Sequence, residues 1–126
     1  MKTLRFTGCS FVVLAGLLMG CVNVDVTKTG KGSFAPTRPD DIQVLMTVPP
    51  KADYTELATI STAGWSTSET AKMHNALRTK SAPMGAHAVI LTSTGIHPAT
   101  GLFSSPTMWA NGVAIRFNNP PAPGAN

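Results

Sequence analysis

Leu77-Arg78-Thr79-Lys80-Ser81-Ala82-Pro83-Met84-Gly85-Ala86-His87-Ala88-Val89-Ile90-Leu91 contains a change of hydrophobic period. On the near side, Met73, Ala76, Leu77 and Ser81 recur at three- and four-residue spacing, while Lys72, Asn75, Thr79 and Lys80 face outward. That is one apolar stripe of a helix. On the far side, Ala88-Val89-Ile90-Leu91 is apolar on both faces, as a central strand is. Between them, Ala82-Pro83 ends the helix, because the residue before a proline is pushed out of the helical region. Gly85 suits a left-handed helix exit. The small Ala86 and Ala88 let helix and sheet approach closely. A single helix feeding a strand, in a chain otherwise patterned with period two, predicts an α+β fold.

Upstream, Ser66 and Glu69 form a Ser-x-x-Glu capping box, with Ser68 a competing cap, so the helix is expected to begin just after Gly64-Trp65. Tyr54–Ala63 alternates as a strand, with Ala58, Ile60 and Thr62 on one face. Ile42, Val44, Met46 and Val48 alternate as an earlier one, ended by Pro49-Pro50. Downstream, residues 86–94 form the third strand. Met108–Phe117 forms the last, with Trp109, Val113, Ile115 and Phe117 on one face. The expectation is a single β-β-α-β-β domain over 42–118: a mainly antiparallel four-stranded sheet with the helix on one face. Residues 119–126, rich in Pro and Gly, read as a disordered tail. Residues 21–41 read as a flexible tether with a span of roughly 25 Å. Val24 and Val26 flank Asp25 and leave room for a brief strand there. A domain of roughly 80 residues without a disulfide has a thin stability margin, to which a partner or a second copy would add.

The N-terminus has its own signature. Lys2 and Arg5 precede an apolar stretch, Phe11–Met19, which is too short for the roughly 20 residues a spanning helix needs. Leu18-Met19-Gly20-Cys21 closes it and resembles the lipobox of bacterial lipoproteins. The resemblance implies that residues 1–20 are a signal peptide. A peptidase would read Leu18, Met19 and Gly20, and Cys21 would carry a diacylglyceryl group. Met19 is bulkier than the usual residue there. The expected location is a membrane face, lipid-anchored. Val22 rather than an aspartate after the cysteine favours the outer membrane, facing the periplasm. Cys9 lies in the removed segment, so an acylated Cys21 leaves no thiol for disulfides, metal or nucleophilic chemistry. Loss of Lys2 and Arg5 takes the formal charge from +4 to +2.

A second resemblance rests on Leu77-Arg78, Met84-Gly85-Ala86-x-Ala88-Val89-Ile90, and the earlier Arg38-Pro39, Val44, Pro50 and Tyr54-x-x-Leu57-x-x-Ile60. This stretch, roughly 38–94, resembles small envelope domains of the RcsF-like and YbjQ-like kinds. The resemblance implies a fold and an envelope interaction or stress-sensing role, with no catalytic residues to carry over. The chain departs from it at His87, where an acidic or amide residue is usual, and in lacking the disulfides on which RcsF relies.

No catalytic set is apparent. The bases Lys28, Lys31, Arg38, Lys51, Lys72, Arg78, Lys80 and Arg116 are scattered without interleaved aromatics, which argues against nucleic acid. Thr29-Gly30-Lys31-Gly32-Ser33 lacks the upstream glycine and strand of a phosphate loop. His74, His87 and His97 have no metal-ligand spacing, and no cofactor is expected. Asp40-Asp41, Asp53 and Glu56 sit at element boundaries, and Glu69 is occupied as a cap. The candidate surface is the loop 95–107, with Ile96, Leu102 and Phe103, followed by Trp109. These side chains either cap one sheet edge or contact an envelope protein, a second copy or lipid. The sequence therefore points to a lipid-anchored, non-enzymatic periplasmic interaction module. The competing expectation is a small-ligand or metal binder using His87 and His97.

Overall fold

The helix-to-strand junction fixes the centre of the molecule. In the computed structural model, which describes residues 21–48 and 53–120, helix α1 runs Thr70–Ser81. A short 3-10 turn, Ala82–Met84, follows it, and Gly85 reverses the chain at φ 78° and ψ 27°. A Cβ on Gly85 would lie 2.6 Å from the Ala35 carbonyl oxygen and 2.7 Å from the Phe34 Cβ. Only glycine accepts both the dihedral and the contact. The stripe on α1 is buried at Met73, Leu77 and Ser81, four residues apart, with Ala76 half-buried beside it. Ser81 is tolerated in the core because its hydroxyl donates to the Leu77 carbonyl at 2.9 Å.

The fold is α+β, with one helix against a five-stranded mixed sheet rather than a four-stranded antiparallel one. The strands are β1 (Asn23–Lys28), β2 (Gln43–Leu45), β3 (Tyr54–Ser66), β4 (Ala88–His97) and β5 (Thr107–Phe117), in the spatial order β1-β3-β5-β4-β2. The β3, β5 and β4 ladders and the β1–β3 pair are antiparallel, while β2 pairs parallel to β4. The core lies between α1 and the sheet. Ile42, Leu57, Ile60, Leu77 and Val89 are each no more than 2% exposed there. A smaller cluster of Ala88, Ile90 and Ile115, flanked by Tyr54, Val113 and Phe117, occupies the other face.

Three corrections follow. The segment expected to be a flexible tether is part of the domain. β1 begins two residues after Cys21 and pairs Asn23 through Lys28 with Ala63 through Ala58. The chain beyond it straps down: the N–H groups of Thr29 and Gly30 donate to the Leu57 carbonyl, and the Thr37 hydroxyl donates to the Ala86 carbonyl at 2.7 Å. Phe34 packs on the core with the Arg116 guanidinium 4.9 Å above its ring. Second, the first expected strand shrinks to Gln43–Leu45. Ile42 turns under the helix, where Arg78 Nε donates to its carbonyl at 2.9 Å, and Met46 and Val48 are exposed. Its expected terminator, Pro49-Pro50, lies outside the described residues.

Third, β3 does not stop before Gly64-Trp65. A bulge with Gly64 at φ 89° carries it on to Ser66, which pairs with Thr107. The capping box is half-formed as a result. Glu69 Oε2 accepts from the Ser66 N–H at 3.2 Å, but the Ser66 hydroxyl turns to Ser68 and the helix starts at Thr70. Ladder bonds to β5 hold Ser66 extended, and the other carboxylate oxygen of Glu69, Oε1, pairs with Lys72 at 2.6 Å. Of the expected tail, Asn119 and Pro120 are described and exposed, and 121–126 lie outside the described residues.

Candidate functional site

The three antiparallel pairings fix one end of the sheet. β3 finishes there at Ser66, β4 finishes at His97, β5 starts at Thr107, and β1 starts at Asn23. Helix α1 also begins at this end. Cys21, an exposed thiol, lies against Gly64, whose missing Cβ leaves room for the Cys21 carbonyl at 2.8 Å. Thr62 anchors the start of β1. Its hydroxyl donates to the Asn23 carbonyl at 2.9 Å and accepts from the Trp65 indole N–H at 2.6 Å. Leu18, Met19 and Gly20 lie outside the described residues.

The expected loop is shorter than its sequence suggested. Ile96 belongs to β4 and pairs with Met108, and Trp109 belongs to β5 and pairs with Gly95. The connection is residues 98–106. It is closed by a turn in which Ser104 Oγ accepts from the N–H groups of Thr100 and Gly101 at 2.8 and 2.7 Å, while the Ser104 N–H reaches the Gly101 carbonyl at 3.2 Å. The turn holds Leu102 and Phe103 at its apex, 99% and 103% exposed. Neither caps the core. Ile96 is 60% exposed as well, whereas Trp109 is half-buried against Gly95.

Behind this turn runs an apolar groove of about 340 Å³. Thr70, Met73 and His74 of α1 form one wall. Leu91, Thr94, Gly95, Ile96, Met108 and Trp109 form the other, with Met46 at the rim. The groove exists because β2 ends opposite Ile90, which leaves the second half of β4 uncovered. The helical residues of this groove were not legible as a site. His74 reads as outward-facing by helical period, but it is half-buried and lines the wall. Burial, and secondarily the charge of Arg78, lower its pKa. The one available signal was three methionines, the adaptable residues of apolar binding surfaces, at otherwise unrelated positions.

The structure separates His87 from His97. They stand at opposite ends of β4, about 30 Å apart at the rise of a strand, so one ion cannot bridge them. Among the described residues no group of three or more His, Cys, Asp and Glu side chains is placed to hold a metal. His97 lies 6.2 Å from the Trp109 ring. His87 stacks on Phe117 at 6.3 Å, and its Nδ1 is buried without a partner. Burial, then the charge of Arg116, hold the His87 pKa below the ordinary imidazole value.

The pH dependence follows from that direction. The unfolded chain takes up protons near pH 6.5, where native His87 and His74 do not. Stability is therefore full above about pH 6.5 and falls as the pH drops towards the lowered native values. Thermal melts between pH 7.5 and 5 should show that loss. It should shrink in His87→Phe, which keeps the stacking on Phe117 and removes the titrating ring.

No protein-family model matches this sequence, and no curated protein matches it. Among solved structures, the chain is similar to a Francisella virulence factor, FvfA, in an orthorhombic crystal form. The TM-score is 0.50 at 13% identity, over 74% of this chain and 96% of that one. The shared property is the fold: a small α+β domain with one helix packed on a sheet.

Proposed function

We propose that the protein is a cell-envelope lipoprotein, cut before Cys21, acylated on that cysteine and acting as a non-enzymatic interaction module. What carries this reading is the position of Cys21. It ends a lipobox-like Leu18-Met19-Gly20-Cys21 run behind a positively charged and then apolar segment. It is also exposed, two residues before the first strand of the sheet. One acyl chain gives marginal membrane binding, and each further buried CH₂ adds about 0.8 kcal/mol, so two or three chains make a lasting anchor. The groove between α1 and β4 supplies the interaction surface, of a shape and polarity that suit an apolar segment of another envelope protein. A sensing role of the kind found among RcsF-like domains fits such a module, and Val22 after the anchor favours the outer membrane.

Metabolic labelling with an alkyne palmitate analogue tests the anchor. Wild type takes up the label and Cys21→Ala takes up none, remaining as an unprocessed precursor of higher mass. Equal labelling of the two would remove the proposal.

A further inference from the structure

The tether expected from the sequence would have held the domain clear of the bilayer, and β1 abolishes that clearance. Cys21 is separated from the first ladder pair, Asn23 with Ala63, by a single residue. Two residues reach at most about 7 Å. A membrane attachment at Cys21 therefore brings one particular end of the sheet down to the lipid surface.

The same end carries the apolar apex. A row across the sheet joins Cys21 to Gly64 by contact, then Trp65 to Met108 and Met108 to Ile96 by ladder pairing. At the usual spacing between strands, Ile96 is about 15 Å from Cys21. Beyond Ile96 the 98–106 turn runs on past the last pair, His97 with Thr107, to Leu102 and Phe103. Val22, Ile96, Leu102 and Phe103 are all exposed, and Ser104 keeps the last two directed outward.

Charge is distributed to match. From Ser81 to Ile115 the sequence holds no Asp, Glu, Lys or Arg. Among the described residues the charges on this half are Asp25 and the Glu69–Lys72 pair, which neutralises itself. Arg38, Asp40, Asp41, Asp53 and Arg116 gather at the opposite end of the sheet. An end that enters a lipid surface must shed water from its side chains, which is costly for charges and favourable for Leu and Phe. A turn built only to reverse the chain needs no pair of bulky apolar residues in open water.

From this juxtaposition of Cys21 with an uncharged, apolar apex, we infer that this end of the domain is a membrane-docking face: Leu102 and Phe103 enter the boundary between headgroups and acyl chains of the bilayer that holds Cys21. This rests on the anchor proposed above and deepens it. The lipid fixes position, and the apex fixes orientation. Two separated points of attachment hold the strands steeply to the membrane, with the charged end outward and the mouth of the α1–β4 groove close to the lipid.

The test uses the full-length protein, purified in detergent and reconstituted into phosphatidylethanolamine–phosphatidylglycerol vesicles, with mass spectrometry reading acylation at Cys21. With Cys21 acylated, Phe103→Cys and the far-end control Asp41→Cys each carry one thiol for a nitrobenzoxadiazole label. Docking raises the emission at position 103 several-fold, shifts it to the blue, and makes it quenchable by lipid nitroxides near the headgroups, while position 41 stays water-like. A water-like signal at 103 in acylated protein overturns the docking face and leaves the anchor standing. A shift at 103 that fades as lipid is added in excess marks contact between copies and also overturns it. Should Cys21 prove unacylated, the anchor fails separately. The apex is then read in a Cys9→Ser, Cys21→Ser background, where position 103 carries the one thiol: with vesicles added, a blue shift there supports it and none overturns it.

Discussion

Gly85→Val should lower the stability of the domain by roughly 3–5 kcal/mol, combining left-handed strain with overpacking, and shift its melting point down by well over 10 °C. Two costs meet at one atom. At φ 78° an L side chain costs about 1–2 kcal/mol, and a β-branched one more. The new Cβ also strikes the Ala35 carbonyl and Phe34 Cβ, neither of which is a free side-chain end. Ala35 is held between Phe34, which packs on the core, and Thr37, which is bonded to Ala82 and Ala86. Moving Phe34 would take it from beneath Arg116, whose Nη1 donates to the Gly85 carbonyl at 2.8 Å. Gly85→Asn separates the two costs, because Asn tolerates the left-handed dihedral but still brings a Cβ. In chemical denaturation Asn should lose less than Val and still lose clearly. A Val variant within a few tenths of a kcal/mol of wild type would mean that the strap over the junction is not closed.

That junction was legible because every signal in it is local. The period of Met73, Leu77 and Ser81 and the break at Pro83-Gly85 are read within one stretch of chain, and so is the apolar run at Val89-Ile90-Leu91. β1 was legible only as a brief strand left open at Val24-Asp25-Val26, inside a segment read as a tether. It is an edge strand that half-buries Val24 and exposes its other residues, so that short alternation is all the pattern it has. Its order comes from a ladder to β3 and from Thr62, both long-range. Alternation at Ile42–Val48 gave a strand but not its partner, and so not its parallel direction. Ser66 carried two valid local signals, and the ladder to Thr107 overrode the cap.

The candidate site divides the same way. Leu102 and Phe103 stand out in sequence because they are bulky and apolar among Gly, Ser and Pro. The groove is not visible there, since it needs the start of α1 set beside the unpaired half of β4. The nearness of Cys21 to the apex is invisible until β1 is in the sheet.

Leu77→Ala should cost about 3–4 kcal/mol, within the usual range for a buried leucine, with the higher values where the cavity does not collapse. Leu77 is fully buried at the middle of the stripe on α1. Ser81 one turn on is tied by its hydroxyl to the Leu77 and Arg78 carbonyls, and Arg78 to Ile42, so the helix cannot readily sink to fill the space. A small domain with a total stability of about 5–15 kcal/mol loses a large part of it. Denaturation with urea should show the midpoint falling with little change of slope. The first half of the same helix is the wall of the groove, through Met73 and His74, so loosening α1 should loosen that wall in parallel with stability. The apex has no such coupling. Leu102 and Phe103 pack against nothing in the domain, and polar replacements there should leave the urea midpoint unchanged. A stability defect from Leu77→Ala beside unaltered stability in the apex variants is the pattern of a residue that builds the fold and of residues kept for contact outside it. Equal losses from both would place the apex in the core, and a bilayer would then have nothing to receive.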